Sequence, residues 1–335
     1  MIKCTIMGSL LLAWLALIAS SAVAQKSQLE AIAFELPVKC MVGELCLVQK
    51  LFDHDPSPMR KDYRCGVLTT DGHDGIDFRV RTMADMARGV AVIAAADGIV
   101  LRARDGEPDV SVKHRAVLNG RDAGNGVVID HGNGWETQYS HLRRQSVSVR
   151  VGERVRSGDS IGLIGMSGNA EFPHLHFALR YQGQPVDPFT GPLKLSDCKK
   201  QYHAGSLWTR SAARVLGYQP TVVIAAGLVP SIPPASVADR PGGNVTPGRS
   251  DSLILWADVI GAMPGDLQLF QIVGPDGKSI LEQKTKLERG GLTWFAYSGR
   301  KAPTIGWSPG QYSGRYQLAR NGAIVADRDL RVTIR

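Results

Sequence analysis

Apolar residues in this chain recur mostly at every second position or in short runs. From about residue 60 to 200, runs such as Val90-Ala-Val-Ile-Ala94 and Gly126-Val-Val-Ile129 are separated by turn clusters of Gly, Asp and Asn. Short apolar runs bounded by such turns are strand signals. No stretch sustains the 3.6-residue period of an amphipathic helix. The cleanest alternation is His174-Leu-His-Phe-Ala-Leu-Arg180. As a strand it turns Leu175, Phe177 and Leu179 to one face and His174, His176 and Ala178 to the other. Trp135, Thr137, Tyr139 and His141 share a face of another predicted strand.

The texture changes twice more. Pro230, Pro233, Pro234, Pro241 and Pro247 crowd the stretch from Tyr218 to Gly248, which reads as a connector. Beyond it come Ser252-Leu-Ile-Leu-Trp256, a Gly274-Pro-Asp-Gly277 turn, Leu292-Thr-Trp-Phe295 and Leu330-Arg-Val-Thr-Ile334. Strands at this spacing predict a small β-sandwich. The expected organisation is a leader at 1–24, a lead segment at 25–60, a β domain at 61–200, a connector at 201–249 and a β-sandwich-like accessory domain at 250–335. The last holds no histidine, since all eight lie before residue 204. It is therefore expected to bind or support, with no metal or acid–base site of its own.

The leader has the form of a secretory signal. Lys3 precedes the apolar run Leu10–Ala19, and small residues end at Ala22-Val-Ala24. The run is short for a bilayer span, so no stable membrane anchor is expected after cleavage. Cys4 is lost with the leader. Cys40, Cys46, Cys65 and Cys198 remain, and an even count in an exported chain predicts two disulfides. The expected pairs are Cys40–Cys46, closing a small loop, and Cys65–Cys198, tying together the ends of the first β domain. The formal charge is +8, or 8 − 1 = +7 without Lys3. An exported basic protein is drawn to anionic envelope polymers. No Lys/Arg-dense run with interleaved aromatics is present, so nucleic acid is not an expected partner.

Candidate chemistry lies in three segments. In His73-Asp-Gly-Ile-Asp77, a turn entering a strand can bring His73 and Asp77 to one metal ion. In His174-Leu-His176, two imidazoles on one strand face stand about 7 Å apart by strand rise. Tyr139 and His141 are candidates for the rim of the same site. There is no His-Glu-x-x-His, and Gly165-Met-Ser-Gly-Asn169 has Asn where a nucleophile elbow needs Gly. His131 reads as a structural turn residue, and His54, His114 and His203 as surface residues. The segment from Arg102 to Arg121 reads as a long loop beside the cleft.

Taken with Gly124-Asn-Gly-Val-Val-Ile-Asp-His-Gly-Asn-Gly134 and Val151–Gly165, these segments resemble the catalytic domain of the lysostaphin/LytM family of peptidoglycan endopeptidases over roughly residues 65 to 190. The resemblance implies a mainly β protein. Its antiparallel, lysostaphin-like sheet domain (a duplicated hybrid motif) would be a zinc metallopeptidase over 61–200, followed by the sandwich. It implies Zn2+ on His73, Asp77 and His176. His141 and His174 would serve the attacking water and the transition state, His174 as base and His141 mainly at the oxyanion, with the two roles open to exchange. Tyr139 would support that subsite. The implied substrate is the peptide stems or cross-links of peptidoglycan, met in the periplasm or after secretion. Two alternatives stand beside it: a non-catalytic regulator of wall hydrolases with this fold, and a secreted protease of Gly-rich proteins.

The cysteine reading is tested by peptide mass mapping of the non-reduced protein. Cys65 is expected to be linked to Cys198, and free thiols at both positions would overturn the clasp.

Overall fold

The structure, a computed structural model, describes residues 32–115, 117–192, 205–240 and 245–335. The leader, Cys198 and His203 lie outside the described residues. The strands of the first half are β1 (Cys46–Lys50), β2 (Ile76–Val80), β3 (Ala91–Ile93), β4 (Gly98–Arg104) and β5 (Asn125–Asp130). They continue with β6 (Trp135–Leu142), β7 (Arg154–Val155), β8 (Ser160–Leu163), β9 (His174–Tyr181) and β10 (Gln184–Val186). Next come β11 (Val222–Val229), β12 (Leu253–Ala262), β13 (Leu267–Val273), β14 (Ser279–Lys286), β15 (Gly291–Arg300), β16 (Gly310–Arg320) and β17 (Ala323–Ile334). Among the described residues the α-helices are short, α1 at Met83–Arg88 and α2 at Arg210–Val215.

The chain is mainly antiparallel β. The first sheet has the order β1-β2-β9-β6-β5-β4-β7, with β10 also on β9. Its alternation follows the sequence. Ile76, Phe78 and Val80 of β2 and Leu175, Phe177 and Leu179 of β9 are buried in one apolar cluster with Trp135 and Tyr139 of β6. Each such side chain contributes roughly 1.5–3 kcal/mol of burial free energy. The opposite face turns its polar residues into a cleft. β1 falls in the segment expected to be only a lead, yet it pairs with β2 along the sheet edge. Its five residues carry no local turn signal, and only the long-range ladder reveals them as a strand.

The C-terminal part pairs β11-β12-β15 in one sheet and β14-β13-β16-β17 in another. Leu255 and Val259 of β12 meet Phe270, Ile272, Tyr316 and Leu318 of the other sheet in a second buried cluster. That is the expected β-sandwich. The turn Gly274–Gly277 closes the β13–β14 hairpin, with the Gly277 N–H donating to the Gly274 carbonyl. The expected connector holds a strand, β11, which pairs with β12 over most of its length. The Cys40–Cys46 disulfide is present. Cys65 is disulfide-bonded, while its expected partner Cys198 falls among the residues not described.

The two halves meet through arginines of β2 and the segment after it. The Arg79 side chain is 2% exposed and lies 3.7 Å from Asp258 of β12. It donates to Gln49 Oε1 at 2.7 Å and its guanidinium lies over the Phe172 ring, 4.6 Å from the centroid. Arg240 also pairs with Asp258, at 3.1 Å. Burial pulls the Arg79 pKa down to about 10 against the opposing pull of Asp258, which registers how strongly the charge is desolvated. Arg81 donates to the carbonyls of Gly43, Glu44, Val223 and Ile224, joining the disulfide loop to β11. Apolar contact is continuous here too, because Ile224 and Ile260 belong to the first cluster.

Asp258→Ala leaves two buried arginines facing each other without their carboxylate. The expected loss is about 3 kcal/mol, read as a lower unfolding free energy in urea, and an unchanged value would show that the cluster is neutral for stability.

Candidate active site

The sheet register assembles the site. Lys50 pairs with Asp77, Asp77 with His176, and His176 with Ser140. These four residues of β1, β2, β9 and β6 form one cross-strand row on the cleft face. His174 pairs with Arg79 one step along. His73 comes from the turn before β2. Gly75 in that turn is required by close approach, because a Cβ there would fall 2.8 Å from His176 Cε1 and 2.5 Å from the Phe177 carbonyl oxygen.

Three imidazole nitrogens converge on one carboxylate oxygen. Asp77 Oδ1 lies 3.0 Å from His73 Nε2, 3.0 Å from His176 Nδ1 and 3.7 Å from His174 Nε2. The other ring nitrogens set the tautomers. His73 Nδ1–H donates to the Leu51 carbonyl at 2.8 Å, and His176 Nε2–H donates to Asp74 Oδ1 at 3.2 Å. In their neutral forms both histidines therefore aim a lone pair at an oxygen that can only accept. A proton on each ring or a shared cation resolves this. Asp77 is 1% exposed, and its Oδ2 accepts no hydrogen bond although the Lys50 ammonium stands 3.4 Å away. The ligand atoms of His73, Asp77 and His176 lie within 4.8 Å of one another. Two nitrogens and a carboxylate at this spacing suit a divalent metal such as zinc.

His141 and His174 flank this set, their rings 4.6 Å apart. His141 Nδ1–H donates to the Ser167 carbonyl at 2.7 Å and His174 Nδ1–H to the Phe172 carbonyl at 2.8 Å. Each is left with an Nε2 lone pair. Burial, reinforced by the neighbouring histidines, holds the His141 pKa well below its ordinary value. Burial likewise pulls His174 down to about 4, against the attraction of Asp77. His176 behaves oppositely. Burial alone would lower it, but hydrogen bonds to Asp74 and Asp77 outweigh that and push it up to about 9. Asp77 is also buried, which would raise its pKa. The positive pull of His73 and His174 and the hydrogen bonds from His176 and His73 instead hold it well below the carboxylate range.

One expected member is not in the site. Tyr139 is fully buried in the core; its hydroxyl accepts from the Ala95 N–H at 2.8 Å and from the Thr137 hydroxyl at 3.1 Å. Strand alternation puts Tyr139 on the core face and gives the cleft Gln138 and Ser140 instead. By that parity His141 would also point inward. It reaches the cleft because its φ is +61°, a left-handed conformation that is uncommon for a non-glycine residue. Other expectations change in detail. His54 is not a surface residue, since its side chain is 10% exposed and bonds to buried Asp187 at 2.7 Å. The end of the expected 102–121 loop does not line the cleft; Asp122 and Ala123, just beyond it, do. His131 is structural as expected, bonded to the Asp97 carbonyl and Thr137. Ser167 is no nucleophile, being fully buried and donating to the Leu142 carbonyl.

The sequence reading also missed supporting residues. Arg180 donates to Asp74 at 3.1 Å and to Gln138 at 2.8 Å, which anchors the carboxylate that orients His176. Arg180 and Gln138 share the face of the site histidines, so strand parity was the available signal.

Residues 71–188, which contain His73, Asp77, His141, His174 and His176, match peptidase family M23. Over 131 residues the chain is 35% identical to the peptidoglycan DD-endopeptidase ShyA of Vibrio cholerae, covering 38% of this chain and 25% of that protein. Over 118 residues it is 36% identical to the DD-carboxypeptidase/endopeptidase Mpg of Neisseria meningitidis, covering 35% of this chain and 22% of that one. The match spans about a quarter of these relatives. Among solved structures, the catalytic domain of the antimicrobial peptidase lysostaphin from Staphylococcus simulans is 24% identical with a TM-score of 0.27, covering 35% of this chain and 76% of that chain.

In metal-free protein the His176 imidazole is expected to titrate near about 9, followed by NMR, so that it is charged at pH 7. A metal ion must displace that proton, and apparent metal affinity therefore rises with pH until about 9 is passed. Asp74→Asn is expected to lower the His176 value. Titration of the wild-type ring near its ordinary value would contradict the acceptor-against-acceptor geometry.

Proposed function

We propose that the protein is a zinc-dependent endopeptidase that hydrolyses peptide stems or cross-links of bacterial peptidoglycan, acting in the periplasm or after secretion. The observation that carries this reading is the convergence of His73, His176 and His174 on Asp77 Oδ1 beside a fourth imidazole, His141, within a segment that matches family M23. The name of one relative, the peptidoglycan DD-endopeptidase ShyA, supports the substrate. The leader pattern supports export, and among the described residues no helix is long and apolar enough to cross a membrane.

His73 Nε2, His176 Nδ1 and one Asp77 oxygen would hold the zinc, with Leu51 O and Asp74 fixing the two rings. Zinc, when bound, supplies Lewis-acid polarisation of the scissile carbonyl and acidifies the attacking water. His174 stands nearer the ligand set and is neutral at pH 7, so its Nε2 lone pair receives the water proton. The resulting Nε2–H then delivers a proton to the leaving amine. The Phe172 carbonyl keeps the ring from rotating away during the transfer. His141 needs a finer description than oxyanion donor. Its N–H is committed to the Ser167 carbonyl, so it offers the cleft a lone pair. It can donate to an oxyanion only after Nε2 has taken up a proton, which the approach of negative charge favours. Asp77 stays ionised throughout.

His73→Ala is expected to remove the bound zinc, read by elemental analysis. It should reduce muropeptide release from purified peptidoglycan by about a thousandfold or more. Wild-type protein that holds no zinc and releases no muropeptides would overturn the reading in favour of a regulator. Faster digestion of elastin than of peptidoglycan would favour a protease of Gly-rich proteins.

A further inference from the structure

The catalytic cleft is not built by the M23 domain alone. It encloses about 600 Å³, and part of its lining comes from Leu292 and Thr293 at the start of β15 in the C-terminal sheet. Lys50 and Phe172 of the first half line the same cleft. Leu292 has a second role. It also lines a largely apolar groove of about 380 Å³ between the two halves, with Val67, Leu68, Tyr218 and Met263, and with Arg60 as the one charged residue of that lining. The cleft and the groove thus share one side chain as a common wall.

The wall is held in place by the buried charges at the junction. Arg79, opposite His174 in the β2–β9 ladder, is tied to Asp258 of β12, and β12 is the strand on which β15 is paired. The loop leading into β15 is pressed against the end of β12, because a Cβ on Gly290 would lie 2.1 Å from the Ala262 carbonyl oxygen. Leu292 itself packs against the first core cluster. A wall anchored in this way can select substrate.

We propose that the substrate strand leaves the catalytic cleft across Leu292 and lies in the apolar groove between the halves. The C-terminal sandwich then forms half of the substrate site. This rests on the peptidase reading above. The occupant is the continuation of the substrate polymer itself, because Leu292 borders both the groove and the cleft that holds the reacting bond. The largely apolar lining fits the uncharged faces of such a strand, such as sugar-ring C–H groups and methyls, and Arg60 offers one cation to an acidic group of the strand. Thr293, exposed at the cleft wall, sets the width of the passage.

The test uses the full chain and compares initial rates on polymeric peptidoglycan and on a purified glycan-free cross-linked peptide that ends within the cleft. Val67 is 38% exposed, so Val67→Glu places a charge in the groove with little demand on folding, which equal melting temperatures would verify. It is expected to raise KM for the polymer about fivefold or more, with a smaller rise for the short peptide. Thr293→Trp, which narrows the passage, is expected to raise KM for both. Ile324→Glu, on a 58%-exposed residue of β17, adds the same charge away from the groove and is expected to leave KM for the polymer as in wild type. A wild-type KM for the polymer in folded Val67→Glu overturns the proposal, as does an equal rise in Ile324→Glu. Failure of wild-type protein to cleave either substrate overturns the peptidase reading instead.

Discussion

One carboxylate oxygen organises this molecule. Asp77 Oδ1 is buried and receives the approach of three imidazole nitrogens, all of which present lone pairs in the neutral rings because their N–H groups are already committed elsewhere. Acceptors facing an acceptor in a low-dielectric cleft repel, so the arrangement demands positive charge at its centre. The metal-free protein meets the demand with a proton on His176, and a divalent cation meets it better. The surrounding hydrogen bonds have the same consequence. Each of the four site histidines has one nitrogen bonded to a backbone carbonyl or to Asp74, which leaves the other pointing into the cleft.

The sheet makes this geometry affordable because it separates the two tasks by face. The apolar residues of β2, β6 and β9 occupy one side and form the core. The row Lys50–Asp77–His176–Ser140 occupies the other, and its spacing follows from ladder register. A register slip of one residue would exchange the faces and destroy core and site together. Where alternation would send a needed group the wrong way, the backbone departs from the strand conformation. His141 reaches the cleft through a positive φ, at the end of β6 where the β5–β6 ladder also shifts register.

The C-terminal sandwich has no histidine, yet it is coupled to the site by charge and packing. Arg79 lies on the polar face of β2 beside His174, and in place of water it meets Asp258, Gln49 and the Phe172 ring. Phe172 in turn bonds and stacks against His174. Movement of β12 would therefore be felt at an imidazole of the site.

The sequence by itself determined the strand class, the two faces of β9, the turn before β2 and the metal-ligand types. Each is a local property, expressed in period-two alternation, glycine placement or side-chain chemistry. The family likeness of residues 71–188 rests on the same motifs. Tertiary structure decided the rest. Tyr139 went to the core and His141 to the cleft because a backbone dihedral, invisible in the residue pattern, interrupts the alternation between them. β1 and β11 are strands only through partners far along the chain, so short apolar stretches at 46–50 and 222–229 carried no distinguishing local mark. Asp74 and Arg180 support His176, and Leu292 walls the cleft, through contacts between segments more than a hundred residues apart. Local sequence encodes which face a residue prefers. Which residues meet across the cleft is set by long-range pairing and packing.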